Sequence, residues 1–352
     1  MASGTIRDEI ILRLNNLYLT RYKKELNMKT NKATSVIRLA CILPLFIFSA
    51  SYAAESLNVS TSLSPDDPIY KGLQSFKKGV EARTKGEIKI KLFSSGQLGA
   101  DNELLQHAQA GSNVGVVVDG ARLAQFVPEF AIIPAPFVFK DYTALKTFIA
   151  SPVFLQWSDK MASNSGLTPL SFNWYQGARM LVTQKPITKP SDLNGVRVRA
   201  LEAPVTIETI KCMGGSPTPL SWSEVYSSIQ TGVVDAAEAQ PTAVYGSKLY
   251  EITKYITKTN HIHLMTGIIV SQKWLSSLTP EQQAILREES QKNGDIASEN
   301  TIQAGDKMLD EMANKGMTIS NVDIQPFVDG CRYVPEKLGL SEAYKQVNSV
   351  IN

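Results

Sequence analysis

The chain has 352 residues, of which 20% are charged and 43% hydrophobic, and it carries a formal charge of +3. That composition suits a soluble globular protein with room for two domains of ordinary size. It shows no basic footprint of the kind nucleic acid requires, so no nucleic-acid partner is expected.

Residues 28–54 read MKTNKATSVIRLACILPLFIFSASYAA. Lys29, Lys32 and Arg38 precede an apolar run, and Ser51 and Ala53 supply small residues at a cleavage site. The run is shorter than the ~20 residues of a membrane span and contains Pro44. A cleaved signal peptide over 28–53 is therefore expected, with Ala54 opening the exported chain. Residues 1–27 then form an extension ahead of a natural start at Met28. Residues 1–53 hold eight of the 36 Lys and Arg and three of the 33 Asp and Glu, which leaves the exported chain with a formal charge of −2.

Beyond the leader, strand and helix patterns alternate. LNVSTSL (57–63) reads as a strand, 67–86 as an amphipathic helix ending at Gly86, and EIKIKLF (87–93) as an alternating strand. A loop at 94–101 leads to a short helix near 102–110, then to a buried strand that opens at Asp119-Gly120. This order predicts an α/β fold with a doubly wound sheet. The theme returns with a strand pair over 167–184, VRVRAL, and a helix over 204–213. A strand at 216–220 follows. A helix over 221–232 has the capping box Ser221–Glu224, and a strand is read over 233–239. From Thr279, a cap followed by Pro280, the pattern stays helical to Gly316, long enough to run along two domains.

No G-x-S-x-G, P-loop, H-E-x-x-H or glycine-rich dinucleotide fingerprint occurs, so neither a cofactor nor a catalytic constellation is expected. His261 and His263 could ligate one metal from a strand, but no third ligand is near in sequence; the pair reads as a polar strand end, and no metal is expected. Cys212 and Cys331 could pair in an exported protein; two buried free thiols are the plainer expectation. Arg122, Arg179, Arg197 and Arg199 each fall near a strand–loop junction. In NGVRVRALEAP (194–204), Arg197 and Arg199 alternate and so share a strand face. Guanidinium groups gathered at strand ends suit an organic anion. Trp174, Tyr175 and Trp222 are candidates for an aromatic wall.

The segment GVRVRALEAP…GGSPTPLSWSEVYSSIQTGVVDAAEAQPTAVYGSKLYEITKYITKTNH (195–261) resembles the DctP-type substrate-binding proteins of TRAP (tripartite ATP-independent periplasmic) transporters. SSGQLGADNELLQHAQAGS and DGARLAQFVPEFAIIPAPFVF extend the resemblance over essentially all of 57–345. It implies a two-domain periplasmic binding protein with a long helix spanning both domains, closing over a ligand. The domains are expected at 54–176 plus 265–304 and at 177–264 plus 305–352. Gly195 and Arg199 match the family's G-x-x-x-R strand, which makes Arg199 the carboxylate-binding group and Arg197 a supporting or solvated neighbour. Arg179 matches a second family arginine, Asp119 and Arg122 a pocket acid and its neighbour, and Trp222 a stacking aromatic. Ser62 stands where the family has a pocket asparagine. Ala239 stands where sialic-acid-binding members have another, which argues against sialic acid; Glu238 and Gln240 are assigned to other polar groups of the ligand. His261 completes the candidate set.

The resemblance implies a non-enzymatic receptor for a small organic acid (a sugar acid, hydroxy acid or keto acid). Its partners are the small and large membrane subunits of a permease. A C4-dicarboxylate receptor is the nearest alternative. An exported lyase or hydrolase of acidic sugars, with Glu238 or Asp119 as acid/base, is a more distant one.

Overall fold

The computed structural model describes residues 54–352; the expected extension at 1–27 and leader at 28–53 lie outside the described residues. The first strand pair shows how the sequence builds the sheet. In β2 (Ile88–Phe93), Ile88 and Ile90 turn inward and Lys89 and Lys91 outward, the period of two that a half-covered strand requires. β2 lies parallel to β1 (Glu55–Ser60), which in turn lies parallel to β3 (Val114–Asp119). β3 reads VGVVVD and is buried along its whole length, as suits a central strand covered on both faces.

A second parallel block repeats the arrangement with β6 (Arg197–Ala200) between β7 (Ser216–Pro219) and β8 (Ala236–Ala239). Two long strands join the blocks: β5 (Trp174–Thr183) and β9 (Tyr255–Ser271) run antiparallel to each other. β9 pairs with β3 through Thr266–Val270, and β5 pairs with β8 through Met180–Thr183. The sheet order is β2-β1-β3-β9-β5-β8-β6-β7, with β4 (Leu167–Pro169) and β10 (Thr318–Asn321) added on β9. One mixed sheet thus carries two parallel blocks whose strands end toward a common cleft.

Helices cover the blocks. The helix Pro68–Arg83 is capped by Asp67 and buries Ile69, Leu73, Phe76 and Val80 at helical spacing. It lies against the long helix Pro280–Asn314, whose start is fixed by the Thr279–Gln282 capping box. The two helices approach closely at Gly72, where an added Cβ would lie 2.6 Å from the Cβ of Ala297. The long helix buries Leu286 and Ala297 in the core of the first block and Leu309 and Met312 in that of the second. It therefore bridges both.

Three expectations need correction. Cys212 and Cys331 form a disulfide, joining the helices Pro204–Cys212 and Gln325–Cys331. Their separation of 119 residues hid a Cα–Cα distance of 4.9 Å, because both helices pack over one core. The helix Ser341–Ile351, assigned with the second domain, places Ala343 and Val347 against Leu145 and Phe148, in the core of the first block. The strand read over 233–239 is shorter, starting at Ala236, because Val233 is an exposed turn residue.

Candidate functional site

The cleft lies where the C-terminal ends of β1, β3, β6 and β8 converge, the usual place for a ligand in an open α/β sheet. It holds about 440 Å³ of space, part of it open to solvent. Each wall comes from a strand end or the turn after it. Ser62 and Leu63 follow β1, Asp119 closes β3, Arg199 and Leu201 end β6, and Gln240 follows β8. Gln176 and Arg179 come from β5, and Leu264 and Thr266 from β9. The β5–β9 register breaks between Tyr175 and Gly177, with Gly177 at φ 114°, beside the stretch of β5 whose Gln176 and Arg179 line the cleft.

Three guanidinium groups line the site, and their partners differ. Arg122 is shared by two carboxylates: Asp101 at 2.9 Å and Asp119 at 3.4 Å. Asp119 also caps the short turn that carries Arg122, accepting from its amide at 3.2 Å. Arg179 is held by Glu238 through two parallel contacts, to Oε2 from Nε and to Oε1 from Nη2 at 2.6 Å, and donates to the Glu238 carbonyl at 2.7 Å. Arg199 is different. It is 2% exposed, and no carboxylate among the described residues lies within ion-pair distance. Its Nε donates to the Leu220 carbonyl at 3.0 Å, and its guanidinium sits 5.5 Å from the Trp222 ring. The Trp222 indole is fixed in turn by donation to Ser247 Oγ at 3.0 Å.

The titration shifts follow this pairing. Burial, with Arg179 and Arg122 nearby, pulls Arg199 down to about 9, against the weaker opposing fields of Glu238 and Asp119. It stays charged at neutral pH but lacks a counter-ion. Burial pushes Glu238 up, yet the charge of Arg179 and the contact with His261 outweigh it and hold Glu238 at about 2. Asp101 is raised, chiefly by burial and further by Asp119, with Arg122 opposing.

A chain of oriented donors runs across the floor. Arg179 donates to Gln240 Oε1 at 3.4 Å, and Gln240 donates to Gln176 Oε1 at 2.9 Å. Gln176 donates to Thr266 Oγ1 at 3.3 Å, and Thr266 to the Trp174 carbonyl at 2.8 Å. One direction of donation is used throughout, which orients the amides of Gln240 and Gln176.

Of the residues singled out from sequence, Ser62, Asp119, Arg122, Arg179, Arg199, Trp222 and Gln240 line the cleft together. Glu238 and His261 sit behind Arg179; His261 Nε2 lies 3.5 Å from Glu238 Oε2, and its Nδ1 pairs with Thr259 Oγ1 at 2.8 Å. His263 meets the Tyr175 hydroxyl instead, so the two histidines serve different neighbours. Arg197 stays at the solvent end of β6 and pairs with Asp235 at 2.7 Å. Trp174 and Tyr175 are corrections. They precede the register break and face the cores on either side of β5, where Trp174 donates to Ser171 Oγ at 3.1 Å and Tyr175 packs 4.6 Å from the Tyr142 ring. Sequence reasoning missed Asp101, Gln176 and Thr266. An acid in the first turn of the helix after a strand-end loop was the available signal for Asp101; Gln176 carried none.

The family model for bacterial extracellular solute-binding proteins, family 7 (DctP), matches residues 59–338. The sialic acid-binding periplasmic protein SiaP of Vibrio cholerae is 28% identical over 301 residues, covering 85% of this chain and 92% of that one. A TRAP periplasmic solute-binding protein of Escherichia fergusonii, described as an apo open structure, is 91% identical, covers 84% of this chain and 100% of its own, and superposes with a TM-score of 0.76. One from Actinobacillus succinogenes with bound L-galactonate is 31% identical, covers 84% and 99%, and superposes at 0.80.

Proposed function

Because the chain belongs to the DctP family of extracellular solute-binding proteins, the receptors of TRAP transporters, we propose that it captures a hydroxyl-rich monocarboxylate, an aldonate or uronate, and delivers it to the transporter's membrane subunits. It is a binding protein and not an enzyme, as its relatives are. Export by the 28–53 leader would bring it to the periplasm; N-terminal sequencing of the purified protein is then expected to start at Ala54.

One observation carries the choice of ligand: Arg199 is buried and charged without a counter-ion, while the other two guanidinium groups of the cleft are already neutralised. With two carboxylates on Arg122 and one on Arg179, Arg199 is the one guanidinium of the three that has no carboxylate of its own, which offers a single place for a ligand carboxylate. A ligand carboxylate on Arg199 gains charge-assisted hydrogen bonds of roughly 1.5–3 kcal/mol each. A second carboxylate at the far end of the ligand would face Asp101 and Asp119 and be repelled. Those acids accept hydroxyl donors well, as do the amide oxygens of the floor. The Trp222 ring gives an apolar face to a sugar chain or ring. This argues against a C4-dicarboxylate.

Capture by closure is supported by the superpositions. The chain follows a ligand-bound relative of 31% identity more closely than an open, ligand-free chain of 91% identity.

A thermal-shift panel tests the reading. L-Galactonate and D-glucuronate are expected to raise the melting temperature, while succinate, malate and neutral galactose leave it unchanged. Saturation a hundredfold above Kd contributes about 2.7 kcal/mol. Neutral galactose shifting the protein as far as the acids do would reject the assignment of Arg199 and with it the ligand class.

A further inference from the structure

The two blocks also meet away from the cleft, where the loop after β1 reaches the helix Pro241–Gly246. The contact is close: a Cβ on Gly246 would lie 2.5 Å from Ser64 Oγ, so a side chain there would have to displace that hydroxyl. Beside it, Asp67 and Thr242 face each other, each 2% exposed. Asp67 Oδ1 accepts the Ile69 amide at 2.8 Å and caps the helix Pro68–Arg83. Asp67 Oδ2, Thr242 Oγ1 and Ser64 Oγ are all buried with no well-formed hydrogen bond among the described residues. Polar atoms in a folded protein are rarely left so, and three in one contact mark a place where burial is opposed.

We propose that Asp67 and Thr242 form a proton-linked latch between the two halves of the molecule, which holds the closed, ligand-retaining form more firmly as pH falls. The proposal rests on the reading that capture brings the halves together. Asp67 belongs to the first half and Thr242 to the second, so parting them returns water to the carboxyl. Neutral, the carboxyl can donate its proton to Thr242 Oγ1, whereas the carboxylate is buried with only the Ile69 amide, the Thr242 hydroxyl and the field of Lys71 to offset its desolvation. Burial in fact pushes Asp67 up to about 6, although the Ile69 amide, the Thr242 hydroxyl and Lys71 all oppose the rise. The other charged groups of the surrounding elements are Asp66 on the loop and Lys307 and Glu311 on the long helix. They line an open groove with Lys71 and Tyr245, where solvent screens them.

The sign follows from linkage. Asp67 is raised in the closed form and returns to its ordinary value of 3.8 when exposed, so protons favour closure. That contribution is complete below the ordinary value and is lost as pH rises through about 6. Isothermal titration of the exported protein with L-galactonate, at pH 7 and pH 5, reads it. Wild type is expected to bind roughly tenfold tighter at pH 5. Asp67→Asn keeps the helix cap and stays neutral; it is expected to bind at pH 7 at least as tightly as wild type does at pH 5, with no change between the two pH values. Histidine titration is common to wild type and variant and cancels in the comparison. A wild type that binds the sugar acid equally at both pH values, or an Asp67→Asn variant that keeps the wild-type dependence, overturns the latch and leaves the ligand assignment standing. Absence of sugar-acid binding at either pH overturns both.

Discussion

Arg199 is charged at the expense of its own hydration, and on the proposed reading a ligand carboxylate restores a partner to it. Arg199→Ala removes both the buried cation and the reason for the anion. Truncating one member of a buried charge pair costs 2–5 kcal/mol, so affinity for L-galactonate is expected to fall by at least about thirtyfold in isothermal titration. The ligand-free protein should melt no lower than wild type, because an uncompensated charge has been taken away. Glu238→Gln has the opposite signature. It strands Arg179 in the interior, and the ligand-free protein is expected to lose about 3–5 kcal/mol in denaturant unfolding. Glu238 is held at about 2, below its ordinary 4.5, so its contribution is complete above that ordinary value and is lost as pH falls toward 2. Acid unfolding of wild type should show this loss and the Gln variant should not. Asp101→Asn tests the charge count: with one acid fewer opposite Arg199, succinate or malate is expected to gain binding that wild type lacks, seen as a thermal shift. At this scale the strand-end arginines and Asp119 were legible in sequence, Arg199 most of all through its alternation and the G-x-x-x-R match. Trp174 and Tyr175 were not, because their side chains are separated from the cleft by a register break that no local pattern announces.

Among the elements, those with a strict period were readable: β2 by alternation, the helix at 68–83 by its apolar stripe, and the long helix by its cap. β9 was missed. Its 17 residues mix polar Thr and His with apolar runs, since different stretches face different partners: β10 at one end, β3 at the other, and β5 along both. Pairing of that kind is a property of the whole sheet and leaves no period in the strand. The disulfide is a second long-range feature. It ties the 204–212 helix to the 325–331 helix, just before the chain crosses back to the first block. Closing a loop of 119 residues restrains the unfolded chain by roughly 4–5 kcal/mol in a chain-entropy account. Reduction is therefore expected to lower the melting temperature by several degrees while leaving the ligand-induced shift intact, since neither cysteine touches the cleft. Loss of binding with folding preserved would show that the bridge shapes the site.

For the molecule as a whole, closing the cleft is opposed by whatever it removes from water without replacing. Arg199, the raised Asp101 and the unpartnered contact at Asp67 all count against the closed form in the absence of a ligand. A ligand shifts the balance only by binding the closed form better than the open one. On the proposed reading a ligand carboxylate on Arg199 supplies that difference, whereas a neutral sugar of the same size would fill space but leave the guanidinium buried and unpaired. Small-angle X-ray scattering of the exported protein should therefore show a smaller radius of gyration with L-galactonate than without it. Galactose at the same concentration should leave the ligand-free curve unchanged. Arg199→Ala should remain in the ligand-free form with either compound. Compaction of that variant by L-galactonate would mean that hydroxyl contacts alone drive closure, and that the guanidinium selects among acids without powering the motion.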